Sequence, residues 1–569
     1  MTEMTEVTEM GATAELVVRQ ARIVPLGGPG LGSFASPTAA ARAELVDVRV
    51  SGGRVVSVEP SVADPAGSRV APQSSGLLTA PVRMIDADGR WLIPGLWDQH
   101  VHFTQWAVTA ARLDTSGTSS AEDVLARVQG RLAAMGRAGS GGAAGRGSGA
   151  GAGAGSGIGA GTGGTAYPVV QGFGHRTATW PRQPTVTELD AISGEYAVVL
   201  ISGDAHHGWL NTKALALLGV PWRDTVLAED EWFAVFERLA TLPGASEAAE
   251  IAVRQAVTAA HARGVVGIGD MEWDANEITW PRRWESGLRS LRVRTAVYPE
   301  RLDAVVAAGL RTRDCLVPES DRLAMGPLKV ITDGSLNTRT AWCCEPYADA
   351  LGGERGTPNI AGPDLAELLG RATAAGLDVA VHAIGDAAMD SALTAIERVG
   401  ARGSIEHAQL IGAADPVRMA RLGIAASVQP AHLWDDRDVT MQCWPDRSNR
   451  VYAFRSLLDA GVTLALGSDA PVSPLDPWLA IAAAVHRAAD ARPAWHPEQA
   501  LSAREALAAS VDGQGTVRVG SRGDLVLVDA DPLGGDPEDV AGHTAYLRGM
   551  PCALTIVGGE VVWSDGVIA

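Results

Sequence analysis

An HxH pair and four later apolar segments, spread along 569 residues, end in side chains that can bind a metal ion, and this repetition constrains the fold most. The first segment runs from Trp91 through Pro94 and Gly95 to His100-Val-His102. Alternate residues of a strand share a face, so His100 and His102 can hold one cation. The others are Gly326 to Asp333 with Lys329 inside it, Leu377 to His382, Ser404 to His407, and Thr463 to Asp469. Of 12 histidines, only His100, His102, His382 and His407 sit at such strand ends. Gly264 to Asp270 and Leu291 to Tyr298 carry the same apolar rhythm, with helical stretches between. Strands alternating with helices favour a parallel α/β sheet, and closure into a (β/α)8 TIM-like barrel fits the donor order better than an open sheet.

Three longer motifs narrow the reading: Asp204-Ala205-His206-His-Gly-Trp209-Leu-Asn211, Lys329 to Arg339 with Asp333-Gly-Ser-Leu inside it, and Gly467-Ser-Asp469-Ala-Pro-Val. With the ordered strand ends, they resemble the amidohydrolase superfamily, amidohydrolase 3 group, which includes N-substituted formamide deformylase-like enzymes. The resemblance runs from about Ala14 to the C-terminus, and one departure is Ala205, where the family often has Gly. It implies a two-metal site at the C-terminal mouth of the barrel. His100, His102 and Asp469 would hold the first ion, His382 and His407 the second, and Lys329 would bridge them as its carbamate. By it, His206 could donate to the substrate carbonyl or a substituent, a structural turn histidine being the other reading.

The chemistry open to such donors is hydrolysis, because a bound divalent metal supplies hydroxide near neutral pH and polarises a carbonyl. Imidazole and carboxylate ligands point to two Zn ions, with Fe, Mn or Ni also compatible. An ammonium beside two dications is repelled, so Lys329 is modified, neutral or turned away, for example toward Asp333. His382 and His407 also read as hydrogen-bonded core residues, and Glu406, on the face opposite His407, as structural. Asp469 is the best general base, able to take a proton from water and pass it to a leaving nitrogen. Its other reading is a helix N-cap ahead of Pro471 and Ser473. Arg339 could bind a substrate carboxylate or pair with Asp333 or Glu345. Trp106, Trp209, Trp273, Trp342 and Trp434 each follow a strand end, which suits either core packing or a pocket for an apolar or aromatic N-substituent. The expected activity is hydrolysis of a non-peptide carbon–nitrogen bond, amide or N-substituted formamide, in a small-molecule substrate. Ester or cyclic-imide hydrolysis, or a catalytically silent barrel used for binding, are the other readings.

Hydrophobic residues make up 46% of the chain, enough for a large core. A net charge of -19 disfavours nucleic acid and anionic membranes as partners. Cys315, Cys343, Cys344, Cys443 and Cys552 show no CxxC spacing, which argues against disulfides and for a reducing cytoplasm. No signal peptide or membrane-spanning run is visible, and assembly into a homo-oligomer is left open.

Alternating segments meet at Gly52-Gly53 near one end and at Gly558-Gly559 near the other, the mark of β-hairpins. With Asp524 to Asp529 they suggest that 14–92 and 515–569 together form one small β-sandwich, leaving 93–514 as the barrel. Residues 1–13 read as a disordered tail, and 138–165, almost wholly Gly, Ala and Ser, as a flexible insertion. Residues 175–263 read as a mostly helical excursion.

Overall fold

The computed structural model describes residues 15–27, 44–61, 82–140, 168–177, 180–203, 206–488 and 492–566, with side chains of the helix Ala121–Ser140 described to 135. The expected tail and the insertion beyond residue 140 lie outside them. Two compact units emerge, Met1–Trp106 with Val257–Ala569, and Ala107–Ala256.

The first unit contains the barrel. Its strands are β1 Leu96–Val101, β2 Val265–Asp270, β3 Arg292–Val297, β4 Ser320–Ile331, β5 Val379–Ala383, β6 Gly403–His407, β7 Ala425–Val428 and β8 Leu464–Leu466. Every neighbouring pair from β1 to β8 is parallel. The ring closes where Asp469 N donates to His100 O at 2.7 Å and His102 N to Ala470 O at 2.9 Å. A parallel sheet covered on both faces needs unbroken apolar strands, which is why β5 buries Val379, Ala380 and Val381 in succession. Outside it, helix Asp386–Val399 turns Ala388, Met389, Ala392, Leu393 and Ile396 inward at three-to-four spacing. Each fully buried side chain of Leu or Met size contributes about 1.5 to 3 kcal/mol.

Strands from both ends of the sequence form a second sheet. Its order is Glu560–Ser564, Cys552–Val557, Leu525–Val528, Trp91–Pro94, Glu15–Ile23, Val46–Ser51 and Arg54–Pro60, with Val82–Asp86 also on Glu15–Ile23. Both Gly-Gly turns hold positive φ at each residue, +56° and +72° at Gly52 and Gly53, +58° and +84° at Gly558 and Gly559. That geometry matches strand twist and is open to glycine at little cost. Glu15–Ile23 changes register between Val18 and Ala21, passing from one layer to the other. Leu16, Val18, Val50 and Val55 share one apolar cluster with Leu525, Leu527, Leu554 and Ile556, so strands from both ends of the sequence pack on one core. Only Gly95 separates its strand Trp91–Pro94 from β1, and a Cβ there would lie 2.4 Å from Val266.

The second unit is built on a five-stranded sheet in the order Leu227–Ala228, His207–Leu210, Ala197–Ser202, Val169–His175 and Leu113–Asp114. The reading of 175–263 as mostly helical therefore missed a sheet. Ala197, Val199 and Ile201 face one apolar cluster and Val198 and Leu200 another, so helices cover both sides. No described helix is long and apolar enough to cross a membrane.

Candidate metal centre

The C-terminal ends of β1, β4, β5, β6 and β8 bring His100, His102, Lys329, His382, His407 and Asp469 together. Nε2 of His100 and Nε2 of His102 each lie 3.5 Å from the same Asp469 Oδ1. Ring centroids are 5.0 Å apart for His100 and His407, and 4.5 Å for His382 and His407. Lys329 Nζ, on a side chain 1% exposed, is 3.3 Å from His100 Nε2.

Three of the imidazoles, His100, His407 and His382, are oriented by a partner at the other ring nitrogen, which is how metal-binding histidines are fixed. His100 Nδ1 is 2.6 Å from Glu406 Oε2, and Ser404 Oγ donates to the same carboxylate. A carboxylate accepts, so His100 carries its proton on Nδ1 and its lone pair on Nε2. His407 Nδ1 is 2.8 Å from Gln429 Oε1, again leaving Nε2 with the lone pair. His382 Nε2 faces the Gly334 carbonyl at 3.4 Å, which leaves the lone pair on Nδ1. Asp98 Oδ1 accepts from His100 N and Ser468 N at 3.1 and 3.0 Å, pinning β1 to the exit of β8.

Burial decides the charge states. Removal from water, with the Lys329 ammonium nearby, pushes His100 well below the ordinary imidazole range, His102 to about 4 and His382 to about 3. Burial also drives His407 well down, with neighbouring imidazoles adding to it. The same burial lowers Lys329, against the pull of Glu406 and Asp469, and raises Asp469. The result is a cluster of neutral imidazoles around one carboxylate, the protonation that cation binding requires. His407 and Asp469 adopt left-handed backbone, with φ of 70° and 55°, as does Ala408 at 43°. Each such residue costs about 1 to 3 kcal/mol, a strain found mainly at working sites.

His102 Nδ1 and His432 Nε2 are buried without a hydrogen-bond partner among the described residues. Two groups, His100–His102–Asp469 and His407–His432–Asp469, have donor atoms within 4.8 Å of one another. Neutral imidazoles, a carboxylate and orphaned nitrogens suit a divalent cation.

The other expected residues have partners of their own. His206, 57% exposed in the second unit, has Nδ1 3.1 Å from Glu229 Oε2, while Asp204 and Ala205 lie outside the described residues. Trp209 is wholly buried, its Nε1 donating to Thr185 O at 2.8 Å, and is a core residue of that unit. Arg339 pairs with Asp349 at 2.8 Å, not with Asp333 or Glu345. Asp333 instead accepts from the backbone of Trp342, Ile384 and Gly385. Asp469 caps no helix, since the N-cap is Asp476. Glu406 is not on a face away from the site, because its carboxylate holds His100. Sequence reasoning also overlooked Gln429, and His432, which opens the helix after β7. Among the tryptophans, Trp273 stands 56% exposed beside the cluster, stacked at 5.9 Å on His102 and at 4.7 Å on Tyr298.

A model of the Amidohydrolase family matches residues 83–563. The chain belongs to that family. This amidohydrolase is 31% identical to YtcJ of Bacillus subtilis over 259 residues, 42% of this chain and 47% of YtcJ, so the match spans about half of that protein. It is 26% identical to N-substituted formamide deformylase of Arthrobacter pascens over 419 residues, 66% of this chain and 75% of the relative. A crystal structure of an uncharacterized metal-dependent hydrolase from Pyrococcus horikoshii OT3 matches with a TM-score of 0.70 at 24% identity, covering 92% of this chain and 99% of that one. At that identity the likeness is one of fold. At the C-terminal ends of the barrel strands, its histidine and aspartate donors form two groups that could hold a metal ion.

Proposed function

We propose that this amidohydrolase cleaves a non-peptide carbon–nitrogen bond, of an amide or N-substituted formamide, in a small-molecule substrate. The observation that carries the reading is the meeting of His100 Nε2 and His102 Nε2 on one oxygen of Asp469, 3.5 Å from each. His100, His102 and Asp469 hold one divalent cation and His382 and His407 a second, with zinc the best match to these donors. Lys329 fits the bridging role as its carbamate, because an ammonium buried against His100 Nε2 has no counter-ion as close among the described residues, whereas an anionic oxygen there would complete the donor set. When bound, such a cation draws a nucleophile from water near neutral pH and polarises the bond under attack.

The residues do the rest. Asp469 takes the proton released on attack and passes it to the leaving nitrogen. Glu406 keeps the His100 lone pair pointed inward. Trp273 offers a flat apolar wall to the N-substituent. Five unpaired cysteines suit a reducing cytoplasm.

The test is elemental analysis of the purified protein together with hydrolysis of a panel of N-formyl and N-acyl amines, before and after chelation. Bound metal and chelator-sensitive cleavage are expected. Turnover that persists without metal would sink the reading, and a metal-loaded protein inert to the whole panel would sink the substrate class.

A further inference from the structure

We infer that His432 is a cation ligand from outside the barrel strands, completing with His407 and Asp469 a three-donor seat for the second ion. The inference rests on the two-cation reading above and adds to it a residue from the loop after β7. Asp469 divides its oxygens between two groups. Oδ1 faces His100 and His102, while Oδ2 lies 4.0 Å from His432 Nε2. A carboxylate placed this way can join two cations through different oxygens.

One short segment supplies two parts of the seat. After β7, Gln429 accepts from His407 Nδ1 at 2.8 Å, and three residues later His432 begins the helix His432–Cys443. The His407 and His432 rings lie nearly parallel, 17° apart, but their centroids are 6.5 Å from each other. That spacing leaves room between them rather than a packed pair. The donor atoms of His407, His432 and Asp469 all fall within 4.8 Å of one another. Donors on a shared tetrahedral zinc ion stand about 2.1 Å from it and about 3.4 Å from each other, so a closure of about 1 Å completes the seat.

A histidine kept only for packing would have both nitrogens satisfied or wet. His432 Nε2 is buried with no partner among the described residues, on a side chain 12% exposed. Its position is nevertheless fixed. One turn along the helix, Asp436 accepts from Tyr452 Oη at 2.6 Å and Gln409 Nε2 at 2.9 Å, which locks the first turn in place.

The test compares wild type with His432→Gln and His432→Ala, dialysed against metal-free buffer. Bound metal is counted by elemental analysis, Co(II)-reconstituted absorption is recorded, and thermal melts confirm folding. The wild type should hold two equivalents and the variants one, with the Co(II) band of the second site lost. Folded variants that keep the wild-type metal count and spectrum overturn the role of His432 and leave the two-cation reading standing. A wild type that holds one equivalent, retained in both variants, also overturns it. A wild type that binds no metal fails the underlying reading itself.

Discussion

The carboxylate of Glu406 lies 2.6 Å from His100 Nδ1, and both side chains are 1% exposed. An imidazole held this way presents its lone pair in one fixed direction. Loss of such a partner typically costs about 10- to 100-fold in metal affinity. Glu406→Gln should therefore weaken metal retention by about that factor while the melting temperature of the metal-free protein changes little. Competition with a chromogenic chelator measures it, and unchanged affinity would count against the orienting role.

Asp469→Asn should lower kcat by about 100-fold or more, the range expected for loss of positioned proton transfer. Steady-state assays with the best N-acyl amine of the panel are the check. Full activity in the variant would place the base elsewhere.

Neutral histidines give the site a pH signature. Burial lowers His102 from 6.5 to about 4 and His382 to about 3, so between those values and 6.5 the unfolded chain binds protons that the fold does not. The stability involved is present above pH 6.5 and is lost as pH falls toward 4 and 3. Asp98 and Asp270, raised to about 7 by burial, act with the opposite sign between 7 and 3.8. A difference measurement separates the two. Metal-free wild type should lose more melting temperature between pH 6.5 and 4 than His102→Gln does, and equal losses would contradict the shift.

Trp273 is exposed enough to be replaced without unfolding the protein. Trp273→Ala should raise KM for N-aryl and N-benzyl substrates about tenfold, since an aromatic pair is worth about 0.5 to 1.5 kcal/mol beyond its area. Small N-alkyl substrates should be nearly unaffected. A uniform change across both sets would remove the indole from substrate selection.

Trp209 is 0% exposed inside the second unit, and its truncation tests a core position. Trp209→Ala should destabilise by about 3 to 5 kcal/mol, measured by denaturant unfolding. A stable variant with altered KM would return this residue to a substrate role.

The convergence of these side chains was legible because metal-competent residues ended apolar runs, and the Gly-Gly turns announced the hairpins. Glu406 was not legible, because strand alternation puts neighbours on opposite faces. That alternation lapses at His407, whose φ of 70° turns the chain out of β geometry, so Glu406 and His407 both serve the site. His432 escaped notice because it sits on a helical first turn rather than at a strand end. A histidine three residues after Gln429, itself just past β7, was the available clue. The sheet of the second unit was hidden by strands of two to seven residues interrupted by helices of ordinary periodicity.

Leu525–Val528 lies antiparallel to Trp91–Pro94, one residue ahead of the strand that carries His100 and His102. On the ribosome, the strand leading into the barrel therefore waits without this neighbour until about 430 further residues have been made. Contacts that distant in sequence form late and slowly. Nascent chains that stop before Leu525 should leave the barrel's opening strand unsupported and become substrates for quality control.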